Sequence, residues 1–387
     1  MKRSIHRILT THCGSLPRPK DLLDLVKAKA QGEPYDTAAY DTCVRSAITD
    51  VVRRQVDSGI DIVTDGEQGK TGFFRYIGER LAGFEERPGQ RPAMFQAEVE
   101  EFPEYYRQYF SQAMLGNSIV PMVPLVCSGP IRYRGLEPLH RDIANLKAAI
   151  VGMPVEEAFM PAVAPSGVGK NEYYKTQEEY FHALAAAMHE EYRAIVDAGF
   201  LVQIDDPFLT ELFSYAPLTL AEKRKTAQMY VDAVNHSLRG IPPERVRLHT
   251  CYGINEGPRV HDAPLRQILE FLLKIDAGAY SFEAATARHE HEYHVWESVK
   301  LPAGKILIPG VITHSSNIVE HPELIAERII RYARLVGREN VIAGADCGFS
   351  SQATYSPEID SRVVWAKFRA MAEGARLATQ QLWKGQP

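Results

Sequence analysis

Long runs of apolar residues are absent from this sequence, in which no stretch approaches the roughly 18 consecutive apolar residues that a membrane-spanning helix needs. We therefore expect no membrane partner. The basic residues of Met1–Leu9 are not followed by the apolar segment of a signal peptide, so we expect a cytoplasmic protein. Lysine and arginine number 44 against 49 aspartates and glutamates, and without an excess of positive charge nucleic acid is not an expected partner.

Cysteine is scarce, with five residues among 387. That number does not build a disulfide scaffold in a chain of this length, and in a reducing compartment isolated cysteines serve as core residues, nucleophiles or metal ligands. Flexible linkers and low-complexity segments are also absent. The length would allow two or three average domains, but α/β barrels of this size with insertions are common. We therefore predict one domain over residues 1–387.

A helix, a glycine and a short apolar strand recur along the chain. The spacing of apolar residues predicts a helix over Thr42–Ser58, which leads into the first such strand. A second helix begins at a capping box of Thr176 and Glu179 and ends before Gly199. Repeats of this kind predict a parallel sheet with helical crossovers.

The same rhythm predicts eight strands, and therefore a TIM-type (βα)8 barrel of the α/β class. The predicted strands are Ile8–His12, Ile60–Thr64, Ala158–Ala164, Phe200–Ile204, Val246–Leu248, Ala279–Phe282, Lys305–Pro309 and Asn340–Ala345.

Residues 73–155 do not follow this rhythm. We predict that they form an insertion over the C-terminal face of the barrel, either as a lid or as a packed helical decoration without a role in chemistry. Within it, Ile119–Cys127 is apolar enough for a strand but contains Pro121 and Pro124. Proline is poorly tolerated in a central strand, so we place this segment outside the barrel.

Side chains that act as ligands, acids or bases gather where the predicted strands end. The carboxyl ends of the strands face the active site in a βα barrel. Buried carboxylates and thiols are unfavourable unless they are paired or metal-bound, so their clustering indicates a site. The residues at these ends are Ser15, Asp65, Glu67, Asp205, Asp206, His249, Cys251, Glu283 and Cys347.

A zinc site is the first interpretation of this set. His249 and Cys251 are two residues apart on an extended segment, so their side chains point the same way and can reach one ion. Cys347 adds a third soft ligand, and catalytic zinc typically has three protein ligands and one exchangeable position. Glu283 could occupy that position until a substrate displaces it. Two alternatives remain open: all three residues belong to the core, or the histidine and one cysteine form a nucleophile pair.

Such a zinc site favours a soft fourth ligand. A substrate thiol that binds there loses its proton, stays nucleophilic and can attack an alkyl carbon. We therefore predict an enzyme that transfers a methyl or other alkyl group to a thiol, with a small-molecule thiol and an alkyl donor as its partners. Two other classes remain: lyase or hydrolase chemistry by zinc-activated water, and a non-catalytic barrel that senses a thiol or binds a methyl-carrier protein.

Seven short motifs follow one another along most of the chain: THCGSLPR at 11–18, DGE at 65–67, QIDDP at 203–207, HTCY at 249–252, FE at 282–283, GV at 310–311 and DCG at 346–348. In this order they resemble the catalytic C-terminal barrel of cobalamin-independent methionine synthase, and more closely the short single-barrel members of that superfamily.

The resemblance implies roles for particular residues. The implied zinc ligands are His249, Cys251, Glu283 and Cys347. The implied binding residues for the amino-acid part of homocysteine are Gly14, Ser15, Glu67 and Asp205. His314 takes the place of the general acid. The implied donor is methyltetrahydrofolate, while related barrels use epoxides with coenzyme M or methyl-corrinoid proteins, and a corrinoid protein is therefore a possible partner.

A segment rich in histidine and glutamate occupies residues 288–294, shortly after Glu283. This pattern fits the polar start of a helix, a second metal site, or side chains that reach the barrel mouth. In the last case the possible substrate contacts are Arg288, His289 and His291, with His12 from the first strand.

Overall fold

The computed structural model describes residues 1–87, 95–112, 118–120, 123–215, 217–253 and 257–384. Its strands are β1 (Leu9–Thr10), β2 (Ile62–Val63), β3 (Leu81–Glu86), β4 (Leu125–Tyr133), β5 (Glu157–Val163), β6 (Lys170–Asn171), β7 (Leu201–Asp205), β8 (Val246–Thr250), β9 (Ala279–Phe282), β10 (Ile306–Ile312) and β11 (Ile342–Ala345). Its helices are α1 (Lys20–Gln31), α2 (Thr37–Asp57), α3 (Ile77–Arg80), α4 (Gln96–Glu101), α5 (Pro103–Gln112), α6 (Glu137–Ile150), α7 (Gln177–Asp197), α8 (Phe208–Tyr215), α9 (Leu220–Ser237), α10 (Leu265–Leu272), α11 (Pro322–Val336) and α12 (Ser361–Leu382). Short 3₁₀ helices lie at Pro165–Gly167, Pro243–Arg245, Glu290–Glu297 and Arg338–Asn340.

Eight parallel strands form the main sheet, in the order β1-β11-β10-β9-β8-β7-β5-β2. The two outer strands also approach each other. The N–H of Asp61 donates to the carbonyl of Thr10 at 3.2 Å, and the hydroxyl of Thr11 donates to the carbonyl of Ile62 at 3.1 Å. The sheet is therefore a nearly closed barrel, and the prediction of a (βα)8 fold is confirmed.

Each of the eight predicted strands has its counterpart in this sheet, although the bounds differ. β1 and β2 are only two residues long, whereas β8 and β10 extend further than predicted. Helix α2 begins five residues before the predicted start. Its earlier start follows from Asp36, whose side chain accepts the N–H groups of Ala38 and Ala39 and so caps the helix.

The predicted capping box of α7 is formed only in part. The hydroxyl of Thr176 accepts the N–H of Glu179, as expected. The carboxylate of Glu179, however, accepts the N–H of Lys175 at 3.1 Å, one residue before the cap. The carboxylate of Glu179 thus binds the N–H of the residue before the N-cap instead of the N–H of the N-cap itself. The helix still begins at the predicted place.

The segment 73–155 contains structure of two kinds. Strands β3 and β4 pair antiparallel and form a separate three-stranded sheet with β6. Ile119–Cys127 therefore lies outside the barrel as predicted, although residues 121–122 are not among those described. Helix α6 packs against α2 and so belongs to the outer ring of helices. The role of this segment as a lid stays a prediction.

The barrel interior contains a layer of apolar side chains. It is made by Leu9, Ile62, Phe159, Leu201, Ala279, Ile306, Ile308 and Ile342, all at most 5% exposed. A second and larger apolar cluster lies between the sheet and the helices. This packing leaves the carboxyl ends of the strands as the place where polar side chains face a cavity. No described helix has both the length and the apolar character required to cross a membrane.

Candidate metal centre and its cavity

Two strand ends bring His249, Cys251 and Cys347 together. His249 lies in β8, Cys251 follows that strand, and Cys347 follows β11. Their ligand atoms all lie within 4.8 Å of one another, and the two sulfur atoms are 3.2 Å apart. All three side chains are buried. One imidazole and two thiols in this arrangement form a ligand set for a soft divalent metal.

The imidazole of His249 has one nitrogen held and one nitrogen open. Its Nδ1 lies 3.1 Å from the hydroxyl of Ser281 and 3.5 Å from the sulfur of Cys13. Its Nε2 is buried and has no hydrogen-bond partner among the described residues. Metal-binding histidines have this arrangement, because a contact at one nitrogen orients the ring and leaves the other nitrogen for the metal.

The two ligand thiols share one hydrogen bond. The thiol of Cys347 donates to the sulfur of Cys251, which lowers the pKa of Cys251 well below its ordinary value and raises that of Cys347. Burial acts against a charge on His249, but the neighbouring Cys13 and Cys251 sulfurs outweigh it and raise the pKa of the imidazole well above 6.5. The site therefore holds negative charge on sulfur even before a metal binds.

Glu283, the predicted fourth ligand, is placed beside this set and not within it. One of its carboxylate oxygens accepts the N–H of Tyr252 at 2.7 Å, and the other accepts a guanidinium N–H of Arg288 at 3.3 Å. Its ligand atom instead groups with those of His314 and Asp346, again within 4.8 Å. Burial is the main reason why the pKa of Glu283 lies well above its ordinary value.

His314, the predicted general acid, is buried outside the lining of the cavity. Its Nε2 lies 3.2 Å from the carbonyl of Gly253, so this nitrogen donates. Burial lowers the pKa of His314 to about 3, which makes the side chain neutral at physiological pH. Asp346, beside it, accepts the N–H groups of Ala284 and Ala285, and burial raises its pKa to about 6.

A cavity of about 240 Å³ lies over the sulfur atoms. Ser15, Glu67 and Asp205, three of the predicted substrate-binding residues, line it together with the three candidate metal ligands. Burial raises the pKa of Asp205 to about 7. The cavity thus combines two sulfur ligands at one end with two carboxylates and a hydroxyl nearby.

The backbone at Glu67 is held in an unusual conformation. Its φ of 56° lies in the left-handed region, which is uncommon for a residue with a side chain. The carboxylate of Asp65 accepts the N–H of Glu67 at 2.9 Å, and Lys70 donates to its side chain at 3.0 Å. Strain that is stabilised in this way is typical of functional positions.

Gly14 shapes the cavity without lining it. Its φ is 132°, and a Cβ atom there would lie 2.7 Å from Cγ of Pro161. A Cβ atom at Gly348 would likewise overlap the hydroxyl of Ser15. Gly14 therefore allows the first strand end to approach β5, and Gly348 allows the last strand end to approach Ser15, which lines the cavity.

The other predicted substrate contacts lie away from the cavity lining. His12 faces the outer ring, where its Nε2 lies 2.8 Å from the side-chain oxygen of Gln55, and burial lowers its pKa to about 4. His291 is exposed. Arg288 and His289 are one layer behind the cavity, because the first contacts Glu283 and the second stacks on Tyr252 at 4.0 Å.

Several lining residues were not predicted from the sequence. Cys13, one of the five cysteines, lies against His249 and donates to the carbonyl of Ala345 at 3.0 Å. Its position directly before Gly14 and Ser15 was the available signal. Glu211, which also lines the cavity, is on helix α8 and not at a strand end.

The fold and this site define the chain as a βα barrel with a thiol-rich candidate metal centre at the carboxyl ends of its strands. The family model described as "Cobalamin-independent synthase, Catalytic domain" matches residues 8–92 and 164–367. Since these residues make up most of the chain, the protein belongs to that family, as the resemblance had implied.

Relatives match over nearly the full length. A methionine synthase from Sulfolobus acidocaldarius is 24% identical over 99% of this chain and 96% of its own, and one from Saccharolobus solfataricus is 24% identical over 96% and 95%. Among solved structures, a B12-independent methionine synthase from Shewanella sp. W3-18-1, in complex with selenomethionine, has a TM-score of 0.70 at 18% identity, with 97% of this chain and 99% of that chain covered.

Proposed function

We propose that this chain methylates the sulfur of homocysteine, with a zinc ion held by His249, Cys251 and Cys347. The observation that carries the proposal is the open Nε2 of the buried histidine next to two sulfur atoms that are 3.2 Å apart. Leaving a buried polar atom without a partner is unfavourable by about 1–3 kcal/mol, and a bound metal would remove that penalty. The relatives named methionine synthase support the choice of reaction.

The ligand types fit zinc. Sulfur and imidazole ligands suit this ion, and three protein ligands leave one position for a substrate. Zinc in such a site supplies a Lewis acid that keeps an incoming thiol deprotonated near neutral pH. Glu283 remains our proposed fourth ligand in the resting protein, and it would have to exchange the N–H of Tyr252 for the metal.

The chain's own residues would orient the amino acid. The carboxylates of Glu67 and Asp205 are suited to an ammonium group, and the hydroxyl of Ser15 is suited to a carboxylate. Lys70 holds the first of these carboxylates in place through its 3.0 Å contact. The related Shewanella protein binds selenomethionine, an amino acid of the product's size, which supports a site of these dimensions.

Metal analysis of the purified protein tests the zinc site. We expect one zinc per chain in the wild type and a loss of zinc in Cys347→Ser. Cys43→Ser is the matched control, because Cys43 is only partly buried on α2 and is remote from the site. Its zinc content should equal that of the wild type. A wild-type protein without stoichiometric metal would overturn the proposal.

Cobalt substitution tests the thiol step separately. In the Co²⁺-loaded protein, homocysteine should intensify the absorption that arises from sulfur-to-metal charge transfer, and the Cys43→Ser control should respond in the same way. Methyltetrahydrofolate, a methyl-corrinoid and an epoxide with coenzyme M are then compared as substrates. A spectrum that no thiol changes would favour lyase, hydrolase or binding roles instead.

A further inference from the structure

Aromatic side chains form much of the wall above the candidate metal centre. Phe73 and Phe74 come from the chain after β2, Phe95 from the start of α4, Phe208 from α8 and Tyr252 from the end of β8. All five line the same cavity as the ligand sulfurs. A wall of this kind can hold apolar groups, and it also attracts cations through the negative faces of the rings.

Phe208 owes its place in this wall to a glycine. A Cβ atom at Gly167 would overlap the far edge of the Phe208 ring. The edge of the ring therefore lies against the backbone of the 3₁₀ helix at Pro165–Gly167. Any side chain at position 167 would displace the ring, so this part of the wall depends on glycine there.

Apart from the candidate metal ligands, the charged groups that line the cavity are acidic. Glu67, Asp205 and Glu211 line it, and among the described residues no lysine or arginine does so. In the proposed function the first two hold the ammonium group of the amino acid. The carboxylate of Glu211 then remains, and it accepts no hydrogen bond from the residues that the structure describes.

Glu211 presents a titratable carboxyl group to the cavity. Burial raises the pKa of its carboxyl to about 7. The guanidinium of Arg259 lowers the pKa of Glu211 in part; it lies 4.4 Å from the ring centre of Phe95 and does not line the cavity. Its N–H donates to the carboxylate of Asp262 at 2.8 Å, and that carboxylate also accepts from Arg288. Because this pKa lies near neutral, a cation bound beside Glu211 would stabilise its ionised form.

The cavity is small for a large donor. Its 240 Å³ must hold the thiol and the donor's methyl group together, whereas cavities for drug-sized ligands measure roughly 300–1,000 Å³. The rings, the unpaired carboxylate and the size all agree with a compact, positively charged ligand.

We propose that the methyl donor is a small onium compound, a methylsulfonium or a quaternary methylammonium, bound by the aromatic wall and Glu211. This proposal rests on the proposed thiol methylation and names its second substrate by chemical class. Aromatic side chains are a recognised means by which proteins bind methylated cations.

The reaction balances without a further reactant. The deprotonated sulfur of the acceptor forms a bond to the methyl carbon while the bond from that carbon to the positive sulfur or nitrogen breaks. The electron pair of the broken bond stays on the leaving atom, which becomes a neutral thioether or tertiary amine. The proton of the acceptor thiol goes to solvent. An amine leaving group that is neutral before transfer would need a proton from a general acid, whereas His314, the predicted general acid, lies outside the cavity lining.

Ligand binding to the zinc-loaded protein is the first test. Calorimetry compares choline with 3,3-dimethyl-1-butanol, which has the same shape without the charge, and we expect choline to bind roughly tenfold more tightly. Glu211→Gln should remove most of that preference, and Phe208→Leu and Gly167→Ala should each weaken choline binding severalfold. Glu190→Gln, an exposed carboxylate on α7, is the control and should change nothing. Equal binding of the two compounds, or an unchanged preference in Glu211→Gln, overturns the proposal.

Turnover is the second test. Homocysteine is offered with trimethylsulfonium, with S-methylmethionine carrying a deuterated methyl group, or with methyltetrahydrofolate, and labelled or new methionine is measured. We expect methionine from at least one onium compound and a lower rate in Glu211→Gln. Turnover with the folate alone, or a cobalt spectrum that responds to homocysteine while no onium compound reacts, overturns this proposal and leaves the proposed thiol methylation standing. A cobalt spectrum that does not respond to homocysteine overturns both the proposed thiol methylation and the proposed donor.

Discussion

Arg247 and His249 lie two residues apart on β8, and both are buried, with 0% and 3% of their surface exposed. Their surroundings differ, although the Nε of the arginine is also without a hydrogen-bond partner among the described residues. Both terminal nitrogens of the arginine donate hydrogen bonds, one to the hydroxyl of Thr11 and one to the carbonyl of His12, and its guanidinium lies over the ring of Phe159. The Nε2 of the histidine has no partner among the described residues. The same strand thus contributes one side chain to the fold and another to the site.

The two environments indicate that one side chain stabilises the fold and the other binds a ligand. Pairing a buried polar group stabilises the fold, whereas an unpaired one is unfavourable by about 1–3 kcal/mol. The two paired nitrogens of Arg247 are therefore explained by stability, and the open nitrogen of His249, which groups with two thiols, is explained by a ligand. Changes in the interior should alter unfolding, and changes at the mouth should alter binding.

Arg247→Ala should have the largest effect. The variant leaves two buried acceptors without donors and opens a cavity beside Phe159, and we expect a loss of about 3–5 kcal/mol in the free energy of unfolding. Denaturant titration of the metal-free protein measures it. Arg247→Met, which fills the space, should recover part of the loss. A change below about 1 kcal/mol would break the comparison, because the interior arginine would then be as dispensable as a surface residue.

The free energy of unfolding should depend on pH because His12 is buried. Burial lowers its pKa from 6.5 to about 4 in the folded protein, so the unfolded chain binds the proton more readily between these values. Stability is therefore full above pH 6.5 and falls as the pH drops towards 4, by about 3 kcal/mol from this residue. Unfolding of the metal-free wild type and of His12→Asn is compared across that range. Parallel curves for the two proteins would contradict the prediction.

Local patterns in the sequence were sufficient for the barrel and for part of its site. Glycine after each helix and a short apolar run predict the strands, because these signals depend only on neighbouring residues. His249 and Cys251 were brought to one point by the alternation of side chains along a strand. Glu67 and Asp205 follow from the rule that the carboxyl ends of barrel strands face the site.

The remaining features depend on contacts between distant segments. His12 was predicted to reach the substrate, but its ring turns towards Gln55 of α2, and only the packing of that helix decides the direction. Glu211 and Phe208 were missed because they lie on a helix after a strand, where no rule of strand ends applies. Phe95 reaches the cavity from a segment that has no βα rhythm at all.

Ser281→Ala should have a medium effect that is confined to the mouth. Its hydroxyl lies 3.1 Å from Nδ1 of His249, and outer contacts of this kind typically contribute 10–100-fold to metal affinity. We expect zinc affinity, measured by competition with a chelator, to fall by about that amount while the unfolding of the metal-free protein changes little. Ser298→Ala, at an exposed serine, is the control. If the variant unfolds more easily but binds zinc normally, Ser281 stabilises the fold and does not support metal binding.

Glu283→Gln should have the smallest effect, which is on zinc affinity. It tests whether Glu283 acts as a buried structural group or as a metal ligand. The carboxylate resembles an interior group, because the N–H of Tyr252 and the guanidinium of Arg288 both donate to it, yet it is also our proposed fourth ligand. A glutamine retains one carbonyl acceptor, and His249, Cys251 and Cys347 remain as ligands. We therefore expect zinc to stay bound, with an affinity lowered by no more than about tenfold, roughly 1.4 kcal/mol. The same chelator competition measures it beside Cys347→Ser. Equal zinc loss in both variants would instead show that Glu283 is a required zinc ligand. Its hydrogen bond to Tyr252 would then be present only in the metal-free protein.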